Sequence, residues 1–369
     1  MKKTPLYDVH LSSNAKMVSF HDYLMPLHYD TIINEHHRVR NDAGLFDISH
    51  MGRFEIIGDK ALPFIQHIIT NDAGKLEDMQ VQYTPVCNEQ GGILDDILVY
   101  KWHTDHFMMV VNCANKEKDF IWFQKQAASY QRLEMRDVTG TLSLIALQGP
   151  LSLQMLESTF SRKFDCLKRF YFGDFAWDGI RMIISRTGYT GEDGFEIFVN
   201  AQHLVKLWNL LMDKNCQNGL KPAGLGARDI LRLEAGLLLY GNDMDETVTP
   251  LETTIGWTVK FDKDTFLGKD SLLRQKQKGI DRKLAGFEMI DRGIPRHGYP
   301  VLKGNEVIGR VTSGSFSPST NKNIGLCLIK SSYARVGEEL QVQIRNASYL
   351  ARVVKTPFYK SKNMTGCCI

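Results

Sequence analysis

Two adjacent carboxylates, Asp95 and Asp96, interrupt the apolar run GGILDDILVY at residues 91–100. The run reads as a strand, in which successive side chains point to opposite faces. Asp96 would share a face with Leu94, Leu98 and Tyr100, and Asp95 with Ile93, Ile97 and Val99. Both faces are otherwise apolar, so the strand is expected to be covered on both sides. At least one carboxylate then points into an interior or a cleft, where burial raises its pKa unless it is paired. Two readings follow: an acid satisfied by backbone N–H groups or an arginine, or an acid that binds a ligand or moves a proton.

A second constellation is RTGYTGEDGFEIF at 186–198. Gly188, Gly191 and Gly194 predict a tight loop entering a strand. Glu192, Asp193 and Glu196 would repel phosphate, and no Lys-Ser/Thr pair follows as in a P-loop, so a cationic or donor-rich ligand suits the segment better. Glu196 lies within the strand, where a carboxylate can accept two parallel N–H bonds from an amidine-like edge. Glu192 and Asp193 read equally well as solvated turn acids. In GLGARDILRLEAG, 224–236, Arg228 and Arg232 share a helix face. They suit either a solvated stripe or bidentate contacts to a carboxylate ligand. His50 in FDISHMGRFEI reads as structural, since no zinc spacing accompanies it.

These groups need elements to position them. Strand-like segments at 53–58, 91–102, 106–112, 142–149 and 181–187 alternate with helical patterns at 59–70, 116–130, 149–160, 201–215 and 224–236, the last closed by Gly236. The mixture predicts an α+β fold with antiparallel sheets and flanking helices. The polar, basic stretch GKDSLLRQKQKGIDRK, 268–283, reads as a connection. Beyond it, short strands between turn signals predict an all-β barrel or jelly-roll. The expected division is 1–274, two interleaved α+β subdomains, and 284–361, the barrel.

The whole chain sets bounds on function. Its 45 basic and 42 acidic residues are too balanced to suggest nucleic acid as a partner. No run of 18 apolar residues suggests a membrane span, and the first residues lack the apolar core of a signal peptide. Seven cysteines, an odd number without a CxxC pair, argue against a disulfide framework or a zinc site and for a reducing compartment. Cys367 and Cys368 read as incidental.

Taken in order along the chain, TPLYDVH, AKMVSFHDYLMPLHY, RNDAGLFDISHMGRFEI, NEQGGILDDILVY, VVNCANKEKD, LQGP, RTGYTGEDGFEIF, GARDILRLEAGLLLYGNDMD, TPLETTIGWTVKF, RGIPRHGYPV and VTSGSFSPS resemble the T protein of the glycine cleavage system. The resemblance implies a cloverleaf of two α+β domains and a β-barrel around a folate site. It implies transfer of the methylene of an aminomethyl group, carried on the lipoyl arm of the H protein, to tetrahydrofolate as co-substrate, with release of ammonia and no metal. Asp96 matches the key acid near the reacting part of the folate, Glu196 the acid that grips the pterin edge, and Arg228 a folate-contacting arginine. Tyr83 and Tyr189 match aromatic positions of the pocket, and Asn112 and Met51 lie on matching motifs near it. Asp95 is then the structural or supporting partner of Asp96.

His21 and Asp22 stand where that family usually has Ala and Gly, which predicts crowding or an added polar contact. The tail TPFYKSK matches poorly, which leaves contacts from Tyr359 or Lys362 open. A flavin-fused demethylase is disfavoured by the absence of a GxGxxG strand–helix unit, and a non-enzymatic folate-binding relative by the absence of its KGCYxGQE signature. The expected compartment is the bacterial cytoplasm, or the mitochondrial matrix for a processed eukaryotic form.

Overall fold

The computed structural model describes residues 1–361; Lys362, Cys367 and Cys368, on which expectations were placed above, lie outside the described residues. Among the described residues the strands form three open sheets and one closed barrel.

The first large sheet orders its five strands as Gln80–Cys87, Ile93–His103, His106–Val111, Gly52–Ile57 and Glu134–Asp137, all antiparallel. The helices Ala61–Ile68 and Lys116–Ala127 cover it, and Phe54, Phe64, Ile97, Val99 and Phe123 close the core between them. The second runs Phe172–Trp177, Ile180–Ser185, Gly194–Asn200, Leu142–Gln148, Gly44–Asp47 and Lys221–Pro222. Its last pair is parallel, as is the pairing of Lys2–Lys3 with Tyr23–His28 in a small third sheet, so the antiparallel expectation holds except at these two short edges.

The six-stranded barrel takes its strands in the order Arg282–Met289, Lys322–Lys330, Glu306–Ser317, Pro300–Lys303, Glu339–Ile344 and Ala347–Val354. Small side chains allow close strand approach: a Cβ on Gly309 would lie 2.1 Å from the Leu328 carbonyl oxygen. The segment read as a connection contains the helix Lys269–Lys278. Its single buried residue, Leu272, leaves almost no apolar stripe, and a polar helix of this kind is indistinguishable from a linker by periodicity.

The strand Ile93–His103 carries the two aspartates with a twist on the expected alternation. Val86 pairs with Asp95 but Cys87 pairs with Ile93, a bulge that absorbs Leu94. Leu94 therefore joins Ile97 and Val99 on the Asp95 side, not Leu98 and Tyr100 on the Asp96 side, and Ile93 packs with Cys87 and Leu238 in another cluster.

Candidate functional site

The seven residues singled out above, Met51, Tyr83, Asp96, Asn112, Tyr189, Glu196 and Arg228, all line one cavity of about 900 Å³. That size is at the upper end for small-molecule and cofactor sites, roughly 300–1,000 Å³. Both large sheets, the helix Leu225–Glu234 and the chain after the barrel contribute walls.

Asp96 owes its position to a ladder that stops short. The pairing Leu98 with Val110 continues no further because the strand His106–Val111 ends. Asn112, just past the strand end and two register positions beyond Val110, falls opposite Asp96 and supplies a side chain in place of the missing strand. Its amide nitrogen donates to the Asp96 carbonyl at 3.1 Å, to Asp96 Oδ1 at 2.7 Å and to Asp95 Oδ1 at 2.8 Å. Tyr83, one strand over, donates its hydroxyl to Asp96 Oδ2 at 2.9 Å. Burial, with the charge of Asp95 adding to it, pushes the Asp96 carboxyl up to about 7 despite these donors. A carboxyl poised near neutrality can take up or return a proton.

Asp95 points the other way, fully buried beneath the helix Lys116–Ala127. It accepts from the Asn112 backbone at 2.9 Å and from the Asn115 amide at 2.6 Å. One acid thus faces the cavity and its neighbour supports it from behind.

Glu196 lies mid-strand between Ala146 and Ser185. Thr187 donates to its Oε2 at 2.6 Å and Tyr100 to the same oxygen at 3.4 Å. Burial raises its pKa, opposed by Thr187 and the charge of Arg228. The glycine loop before it closes over Gln148: a Cβ at Gly188 would lie 1.9 Å from Gln148 Oε1, and one at Gly194 2.3 Å from its Nε2. A side chain at either position would have to displace the Gln148 amide, which donates to the Thr187 carbonyl and accepts from the Thr190 hydroxyl.

Arg228 and Arg232 part company despite sharing a helix face. Arg232 is saturated by Asp229, Asp243 and Ser313 Oγ, each at 2.8 to 2.9 Å, and ties the helix to the barrel. Arg228 instead lies over the Tyr189 ring, 4.7 Å from its centroid, with its charge answered at longer range by Glu196. Tyr189 is fixed by its own hydroxyl, which donates to the Leu238 carbonyl.

Glu192 and Asp193 are not solvated turn acids. Glu192 is buried and pairs with Arg40 at 2.8 Å, and Asp193 pairs with Arg186 at 2.6 Å. Arg40 comes from 152 residues away, so nothing local in the sequence could have signalled the pair.

His50, read as structural, lines the cavity. Burial, with Arg228 second, lowers its pKa to about 3, which keeps the imidazole neutral. Trp257 and Tyr240, which lie in the stretches TPLETTIGWTVKF and GARDILRLEAGLLLYGNDMD but were given no role there, also line the cavity. His21 occupies the left-handed turn between Lys16–Phe20 and Tyr23–His28 at φ 50°, stacked edge-on to Phe20, and Asp22 lies 3.5 Å from Lys2 Nζ. The departure there is thus an added polar contact. Tyr359 lines the cavity with its ring 4.1 Å from the Arg40 guanidinium.

Two family models cover nearly all of the chain: the GCVT N-terminal domain over residues 6–263 and the glycine cleavage T-protein C-terminal barrel domain over 282–360. Curated aminomethyltransferases are similar along their whole length. That of Caldanaerobacter subterraneus subsp. tengcongensis is 50% identical over 98% of this chain and 96% of its own. That of Thermoanaerobacter pseudethanolicus is 49% identical over 98% of both. The crystal structure of the glycine cleavage system aminomethyltransferase T from Bartonella henselae superposes with a TM-score of 0.92 at 33% identity, covering 98% of each chain. The chain therefore belongs to the glycine cleavage T-protein family, as an aminomethyltransferase of that system.

Proposed function

We propose that the methylene acceptor is tetrahydrofolate and the donor an aminomethyl group held as a thioether on the lipoyl arm of the H protein. Carbon leaves sulfur and nitrogen and joins the folate, giving 5,10-methylenetetrahydrofolate, ammonia and the dihydrolipoyl arm. The observation that carries this reading is the convergence of Asp96, Glu196 and Arg228 on one cavity.

Tetrahydrofolate would supply a nucleophilic amine at N5. The residues present suit such a ligand. Glu196, with both protein donors on Oε2, can accept from the N–H edge of a pterin. Arg228 and Tyr189 offer a cation on an aromatic face, and Met51 an adaptable apolar wall. Asp96, held by Tyr83 and Asn112, stands ready to take the proton that the amine loses and to stabilise positive charge developing at the transferred carbon. His50, uncharged, adds no competing cation there.

The family assignment supports the H protein as carrier, and the bacterial relatives support a cytoplasmic setting. The same reading takes 1–274 as the folate-binding region and 284–361 as the barrel; the first barrel strand, Arg282–Met289, begins just before that boundary.

Calorimetric titration with tetrahydrofolate tests the placement. Wild type is expected to bind, and Glu196→Gln to bind about 10-fold more weakly, because a charge-assisted pair becomes a neutral one. Equal affinities would remove Glu196 from the ligand.

A further inference from the structure

Behind Asp95 lies a third acid that catalysis as described leaves without a role. Asp119 occupies the first turn of the helix Lys116–Ala127, is 2% exposed, and its Oδ2 has no hydrogen-bond partner. An ionised carboxylate in that setting would be costly. Its side-chain contact is with Asp95. Asp95 already collects three N–H donors: the Asn112 backbone at 2.9 Å, the Asn112 amide at 2.8 Å and the Asn115 amide at 2.6 Å. Such donors favour the ionised form, and two carboxyls in buried contact do not both ionise. The charge therefore resides on Asp95 and the proton on Asp119. Burial, reinforced by the charge of Asp95, accordingly drives the Asp119 carboxyl far above the usual range.

We infer that Asp119 is a positioning residue: a neutral carboxylic acid that donates its hydroxyl to ionised Asp95, so that Asp95 and the Asn112 amide together fix Asp96 and set its charge. The inference rests on the reading of Asp96 as the acid of the reaction. The connection is continuous, because the Asn112 nitrogen that donates to Asp95 also donates to Asp96. The neighbouring charged groups do not displace it. Lys118 Nζ is held by the Leu94 carbonyl, the Tyr240 hydroxyl and Glu246 at 2.9 to 3.1 Å, and is the lesser influence on Asp119. On the cavity side Tyr83 donates to Asp96, while Tyr189 faces it among Arg228 and Arg232.

Two variants and two readouts test this. Asp119→Asn keeps a donor toward Asp95; Asp119→Leu keeps the branched shape, at a larger volume, without one. Infrared difference spectra at about pH 9, where Asp96 is ionised, should show a protonated-carboxyl band in wild type that Asp119→Asn lacks. Its persistence in Asp119→Asn would place the proton elsewhere and overturn the inference. In pH profiles of turnover, Asp119→Asn should follow wild type. In Asp119→Leu, Asp95 takes up a proton itself, its charge no longer burdens Asp96, and the acid limb should move about one unit lower. An unmoved limb in folded Asp119→Leu would also overturn the inference. If Asp119→Leu does not fold, the infrared comparison of Asp119→Asn with wild type still decides. Full turnover in Asp96→Asn, run in parallel, would instead sink the reading of Asp96 while leaving the infrared result to judge Asp119.

Discussion

Asp96→Asn is expected to lower folate-dependent turnover by about 10²–10⁴-fold, the usual contribution of a positioned acid–base group, while tetrahydrofolate affinity changes little. The wild-type rate should fall with acid through a limb near pH 7, because the carboxylate is the active form and burial beside Asp95 lifts its pKa to about 7. That limb should vanish in the variant. Stability should move the other way. With the folded value above the ordinary 3.8, the fold binds the extra proton, and the stability present at low pH is lost as pH rises toward 7. Asparagine removes that loss, so thermal denaturation of the variant at about pH 8 should be no lower than wild type. A loss of turnover accompanied by a lower melting temperature would point to unfolding in place of lost chemistry.

The second large effect concerns what holds the cavity walls together. Glu234 is buried at the end of the helix Leu225–Glu234, where three elements meet. It accepts from His36 Nε2 at 2.8 Å, from Arg40 Nη2 at 2.8 Å, and from the barrel residues Ser317 and Ser319 at 2.6 and 2.8 Å. Glu234→Ala leaves Arg40 and His36 buried with their shared partner gone, and is expected to cost about 3–5 kcal/mol in chemical denaturation. A cost under about 1 kcal/mol would mean that water or neighbouring groups replace the carboxylate. Burial alone would raise the Glu234 pKa, but the hydrogen bond and charge of His36, with Arg40, outweigh it and hold it at about 2. Its contribution is therefore present above the ordinary 4.5 and is lost as pH falls toward 2. Wild type should lose stability across that acid window more steeply than Glu234→Gln, as followed by fluorescence.

Much of the site could be read from the chain because its signals are local. A carboxylate inside an apolar alternation is visible at Asp96, and a strand entered through a glycine loop is visible at Glu196. The barrel could be read from its short strands and turns. What escaped depends on contacts far apart in sequence. The bulge at Leu94 arises from pairing between Val86 and Cys87 and their partners, which strand alternation alone does not encode. Glu192 and Arg232 look like surface charges until Arg40 and Asp243 are brought against them by the fold. Asp119, in KEKDF, resembles any acid in the first turn of an exposed helix, where it favours the dipole. Its burial follows only from docking that helix over Asp95.

The most direct measurement is ammonia release from an aminomethylated lipoyl carrier, with and without tetrahydrofolate. The cavity described above predicts strong release that depends on the folate and is matched by formation of 5,10-methylenetetrahydrofolate. Tight folate binding by a folded protein that releases no ammonia under either condition would contradict it.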